Sequence, residues 1–191
     1  MTHQNEKREQ QMQIQYALIG EFVVAFELLC NMMRAMIGIR CSVNAANQAN
    51  ISALTIELTA FPPLKAYQAV MVTHPKQDAF SKSLFDKLYN QIRDLIEKRN
   101  TIVHGTTYIG WGNESTTDWS NGHTVRSTLS KQGVSTSVQA TNEAAIQPLI
   151  QECRTLYDLV LGLSGTLFSQ HMDFAKNYKI ENGRVVRIEI P

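Results

Sequence analysis

The sequence predicts a mainly α protein, an antiparallel helical bundle with a β-rich insertion between its last two long helices and a short C-terminal β-hairpin. Three observations carry that class. Long stretches repeat apolar residues at alternating spacings of four and three, the signature of a buried helix face. Between Gly105 and Gln139 more than half of the residues are Gly, Ser, Thr or Asn, too many for a helix interior. The chain closes on "YKIENGRVVRIEI", where Asn182-Gly183 separates two β-prone runs, a hairpin signal. The expected bounds are a helical domain over 1–175 with the insertion at 105–140, and a hairpin tail at 176–191.

A first helix is predicted from Glu6 to Arg40. Leu18, Phe22, Ala25, Leu29, Met32 and Met36 form one stripe, widened by Val23, Phe26, Met33 and Ile37. A stripe that broad implies more than one neighbour, inside the domain or across a dimer. Glu27, Asn31 and Arg34 share another face, read as solvated, with a polar cleft lining as the alternative. Asn44 caps a second helix whose face is Ile51, Leu54, Leu58 and Phe61, and Pro62-Pro63 stops it. A short helix around Leu64 to Val72 ends before His74-Pro75. Asp78 caps the long fourth helix, with Phe80, Leu84, Leu88, Ile92, Leu95 and Ile96 inward.

In the insertion, "TTYIGW" and "HTVRSTLS" read as short strands joined by turns at "GNES" and "SNG". Helical period resumes near Thr141, with Ile146, Leu149, Cys153, Leu156, Val160, Leu163 and Leu167 as its stripe. Pro148 either kinks the first turns or starts the helix proper. Gly162, Gly165 and Ser169 make a small-residue face that lets a second helix approach closely.

With 191 residues, a net charge of +1 and 43% hydrophobic residues, the chain has enough apolar material for a sizeable core. The near-neutral balance argues against coating long nucleic acid, so any phosphate binding is local. Cys30, Cys41 and Cys153 show no paired spacing and read as reduced core thiols. The polar start "MTHQNEKREQQMQIQ" excludes a signal peptide there, and charges within Tyr16–Ile39 disfavour a membrane span. A cytoplasmic protein without membrane contact is the expectation. His74, His123 and His171 have no ligand spacing to cysteine or carboxylate, so no metal and no cofactor is expected. No phosphate-binding or dinucleotide glycine motif occurs.

The segment that can carry chemistry is "DLIEKRNTIVHGTTYIGWG", Asp94 to Gly112. Arg99 follows Ile92 and Leu95 at i+7 and i+4 and so continues the apolar face. A guanidinium there needs an anionic partner or a polar cleft. Asn100 and His104 lie one turn apart on one face. The bland alternative is a helix end: cations favour its negative pole and Gly105 its cap, together contributing roughly 1 kcal/mol.

The string R-N-T-I-V-H, Arg99 to His104, resembles the signature of the HEPN family: an Arg, a polar residue directly after it, and a His after four intervening residues. Its context is similar too, since the motif closes a long late helix of an all-α order covering most of residues 6–170. The resemblance implies metal-independent RNA cleavage, with Arg99 and His104 as the active residues and Asn100 at the polar position. Some members of that family are non-catalytic antitoxins, scaffolds or nucleotide binders. The insertion after His104 is not part of the family's minimal bundle.

The residue types suit that chemistry on their own terms. RNA carries its nucleophile, the 2′-OH. A histidine can take that proton or give one to the leaving 5′ oxygen, and a guanidinium can hold the phosphate at two points. Glu27 is expected to orient Arg99, while Lys98 and Tyr108 are expected to contact substrate. Trp111, Trp119 and Tyr108 either stack on bases or pack the hairpin. One motif supplies one His, so a homodimer joining two motifs is expected. The enzyme reading implies a toxin or phage-defence ribonuclease with an antitoxin partner; its competitor is a non-catalytic dimeric module that binds a nucleotide, RNA or a protein.

Overall fold

A computed structural model describes residues 2–42, 44–56, 58–75, 77–110, 119–169 and 173–188. It is mainly helical, with one small antiparallel sheet and a C-terminal hairpin. The long elements are α1 (Thr2–Cys41), α2 (Ala45–Ile56), α3 (Phe61–Val72), α4 (Ala79–His104) and α5 (Glu143–Phe168). Strands β1 (Thr106–Ile109), β2 (Gly122–Ser130) and β3 (Gly133–Ala140) lie between α4 and α5. A single-turn α6 (Phe174–Asn177) precedes β4 (Tyr178–Glu181) and β5 (Arg184–Arg187). The chain forms two compact units, Met1–Phe26 with Glu97–Cys153, and Glu27–Ile96 with Arg154–Pro191.

The first unit holds the sheet and the motif. Its core is Leu18, Phe22, Ala25 and Phe26 of α1, Ile102 of α4, and Ile146, Leu149, Ile150 and Cys153 of α5, all buried. The sheet is a simple antiparallel meander in the order β1-β2-β3, with Tyr108 opposite His123 and Arg126 opposite Ser137. The third strand is absent from the sequence reading. Its "GVSTSVQA" carries two valines four residues apart among hydroxyls, a weak alternation that pairing with β2 nonetheless completes. Lys131 and Gln132 form the tight turn, after which Gly133 adopts φ +115°. Asn142 Oδ1 accepts from the Ala145 amide at 3.1 Å and starts α5, so Pro148 lies inside the helix instead of opening it. Trp111 and the expected "GNES" turn fall outside the described residues.

The second unit is built on the predicted faces. Leu29, Met33, Met36 and Ile37 of α1 are buried, as are Leu84, Leu88, Ile92, Leu95 and Ile96 of α4 and Leu156, Val160, Leu163 and Leu167 of α5. Asp78 caps α4: its Oδ1 accepts from the Ser81 amide and hydroxyl, each at 2.7 Å. These bonds favour the ionised carboxyl and hold it below the ordinary 3.8. Tyr67 is buried with its hydroxyl 2.9 Å from Ser164 Oγ, and burial pushes the phenol far above its usual range. In the C-terminal hairpin Asn182 and Gly183 take φ 49° and 76°, the pair of left-handed residues a two-residue hairpin turn demands. Val185 is buried, and its amide donates to Gln91 Oε1 at 2.9 Å.

Four expectations are corrected here. Pro62 and Pro63 sit in the first turn of α3 and open that helix, where a missing amide costs nothing. The α2 face is only partly covered: Leu54 is 77% and Leu58 37% exposed, whereas Ile51 and Phe61 are half-buried. Cys41 is exposed, unlike Cys30 and Cys153. Gly162 admits the Tyr178 hydroxyl of β4, and a Cβ at Gly165 would meet nothing within 4 Å, so the small-residue face does not receive a helix there.

Candidate functional site

Arg99, Asn100 and His104 come together at the end of α4. Leu95 and Ile102, one turn to either side of Arg99, are both buried, so Arg99 continues a core-facing line and is itself half-buried. Its Nη1 lies 3.2 Å from His104 Nε2 and 3.4 Å from Asn100 Oδ1. A guanidinium has only protons to donate. In this contact Arg99 is the donor and Nε2 the acceptor. His104 is exposed. The helix end thus holds an imidazole and a guanidinium in direct contact, with the Nε2 lone pair engaged by Arg99.

Phe26 is the residue that sequence reasoning missed. Its ring centroid is 5.5 Å from Arg99 Cζ and the side chain is wholly buried. The ring face attracts a cation by about 0.5–2 kcal/mol depending on solvation, which helps hold the guanidinium at the helix end. The available signal was an aromatic on the α1 stripe together with an arginine on the α4 stripe.

Gly105 fixes how the helix ends. Its backbone stays outside the left-handed region, and its amide donates to the Thr101 carbonyl at 3.0 Å. A Cβ there would meet Thr124 Cγ2, and would lie 2.5 Å from the Thr101 oxygen and 2.8 Å from the Val125 oxygen. Close approach of the helix end to β2 selects glycine here, whereas the sequence reading ascribed it to capping.

The other named residues have separate settings. Lys98 pairs with Glu152 at 3.5 Å. Tyr108 stacks on His123, centroids 5.5 Å apart and planes 22° from parallel, and Arg8 lies 4.1 Å over the Trp119 ring. Both contacts lie within the first unit, and Tyr108 is 37% exposed. Glu27 is half-buried and falls in the second unit. His171 lies outside the described residues. Among the described residues no three His, Cys, Asp or Glu side chains gather in a way that could hold a metal ion.

On the far side of α4 from Arg99, a groove of about 440 Å³ runs beneath the β2–β3 hairpin. Thr101 Oγ1 lies 3.1 Å from Ser137 Oγ across it. Comparison with known proteins adds no relative: no family model, no curated protein and no solved structure matches this chain.

Proposed function

We propose that the protein is a HEPN-type, metal-independent endoribonuclease with Arg99 and His104 as its catalytic residues. The observation that carries this reading is the 3.2 Å contact between Arg99 Nη1 and His104 Nε2, with His104 open to solvent. His104 takes the 2′-OH proton as the oxygen attacks the adjacent phosphorus. Arg99 turns from the imidazole to the phosphate and stabilises the charge that builds there. The 5′ oxygen leaves with a proton supplied by a second acid, and the products carry a 2′,3′-cyclic phosphate and a 5′-hydroxyl. General acid–base help of this kind is worth about 10²–10⁴-fold. Asn100 supports the guanidinium from its own helix. We assign the second acid to the His104 of a second copy, and the chain to an HEPN-like helical bundle acting in the cytoplasm, as a toxin or defence protein with an antitoxin.

The test is incubation of purified protein with RNA in EDTA, beside Arg99→Ala and His104→Ala. Both variants lose cleavage by at least about 10²-fold while keeping the parent's circular dichroism. Equal cleavage by all three would assign the activity to a contaminant or to a different site on the protein. No cleavage by the parent, with retained binding, would make it the non-catalytic module.

A further inference from the structure

The β2–β3 hairpin is built inside out. Its register puts Thr124, Arg126 and Thr128 of β2 beside Gln139, Ser137 and Ser135 of β3 on one face, and Ser137 bonds Thr101 of α4. The other face carries half-buried Val125 with Leu129, Val134 and Val138, the last three 86%, 68% and 64% exposed; Val138 and Thr136 of this face also border the groove at its edge. A hairpin that served only to cover the helix would turn those valines and the leucine inward. Here the polar face is the inner one, and it roofs the groove whose walls include Glu97, Lys98, Arg126, Ser135 and Ser137.

Arg126 is half-buried in that groove, and among the described residues no carboxylate pairs with it. A partly desolvated guanidinium gains most from an anion that accepts its forked donors. The neighbouring hydroxyls add bonds to phosphate and sugar oxygens, while Val138 is the sole apolar lining side chain. An acidic peptide would want apolar pockets for its other side chains; a sugar–phosphate strand does not.

We propose that this groove binds the backbone of a single-stranded RNA on the opposite side of α4 from Arg99, with Arg126 holding a phosphate and Lys98 contributing a weaker field because Glu152 already engages it. The assignment rests on the RNA reading of the preceding section, since the same helix end supplies both sites. Glu97, the lining carboxylate, opposes an anion at its own end and so concentrates binding at Arg126.

Binding is measured in the His104→Ala background, which does not cut, by fluorescence anisotropy with a short single-stranded RNA across a salt series. Adding Arg126→Ala weakens binding about tenfold and reduces the slope of log affinity against log salt by about 0.7. Arg126→Lys restores the slope but only part of the affinity, and Glu97→Gln tightens binding, a gain that misfolding cannot produce. Unchanged affinity and slope in Arg126→Ala would overturn the proposal. So would a mononucleotide or inorganic phosphate competing as tightly as the strand, or an acidic peptide displacing it. Because no cleavage is read, an inactive parent protein leaves this result intact.

Discussion

At Gly105 the contacts decide what a single methyl costs. Two of the three atoms that a Cβ would strike are backbone oxygens, of Thr101 and Val125, and neither can rotate away. Gly105→Ala therefore has to push the end of α4 off β2. We expect a loss of about 1–3 kcal/mol, the usual cost of overpacking, in urea unfolding, and, under the proposed ribonuclease reading, a fall in RNA cleavage because His104 is the adjacent residue. Gly165→Ala is the control. With open space around its Cβ, it gains about 0.5–1 kcal/mol from helix propensity. If both alanines stabilised the protein, the close approach at residue 105 would be wrong. The placement of Arg99 on a core-facing line was legible because a cation on an apolar stripe breaks the pattern. Its support was not: Phe26 lies 73 positions before Arg99 in the chain, and helical period says which face is buried but not which residue of another helix meets it.

The elements that could be read were those whose ends carry their own chemistry. Asp78 begins α4 through Ser81, and Asn182-Gly183 turns the last hairpin through two left-handed residues. The buried stripes of α4 and α5 were equally readable, since every position in them between Leu84 and Ile96 and between Ile146 and Leu167 that was assigned inward is buried. Strand β3 and the α2 surface were not. Hydroxyl-rich strands lack apolar alternation, and helical period does not say which apolar positions of a short helix, such as Leu54, stay in solvent. The Asp78 cap makes a pH prediction with a definite sign. Its folded carboxyl titrates below the ordinary 3.8, so its contribution is complete above that value and is lost as pH falls through the folded one. Asp78→Asn keeps a capping oxygen but cannot titrate. Urea unfolding from neutral pH down to acid should show the parent losing stability more steeply than Asp78→Asn below about pH 4. Parallel curves would mean that the Ser81 bonds do not favour the charged form.

For the molecule as a whole, the question is what covers α1. Tyr16, Gly20 and Val24 succeed one another at i, i+4 and i+8; Tyr16 is 56% and Val24 61% exposed, and a Cβ at Gly20 would meet nothing within 4 Å. By length and composition Asn5–Cys41 could also cross a membrane, although half of its most apolar window is buried inside the protein. A membrane helix has no use for Phe22 and Phe26 folded fully inward while the opposite face stays bare, but a helix with two protein neighbours has. Under the proposed ribonuclease reading a second copy on that face fits as well, because in-line cleavage wants both a base and an acid and each chain offers one His104. Charging the face with Tyr16→Lys and Val24→Lys alters side chains already in solvent, so the monomer should keep its fold. We expect sedimentation velocity to show the parent as a dimer and the double variant as a monomer, with cleavage lost by about 10²-fold or more, the share a missing general acid carries. A double variant that sediments as a monomer and still cleaves RNA at the parent's rate would place both proton transfers within one chain, and would leave the exposed face of α1 to some other partner.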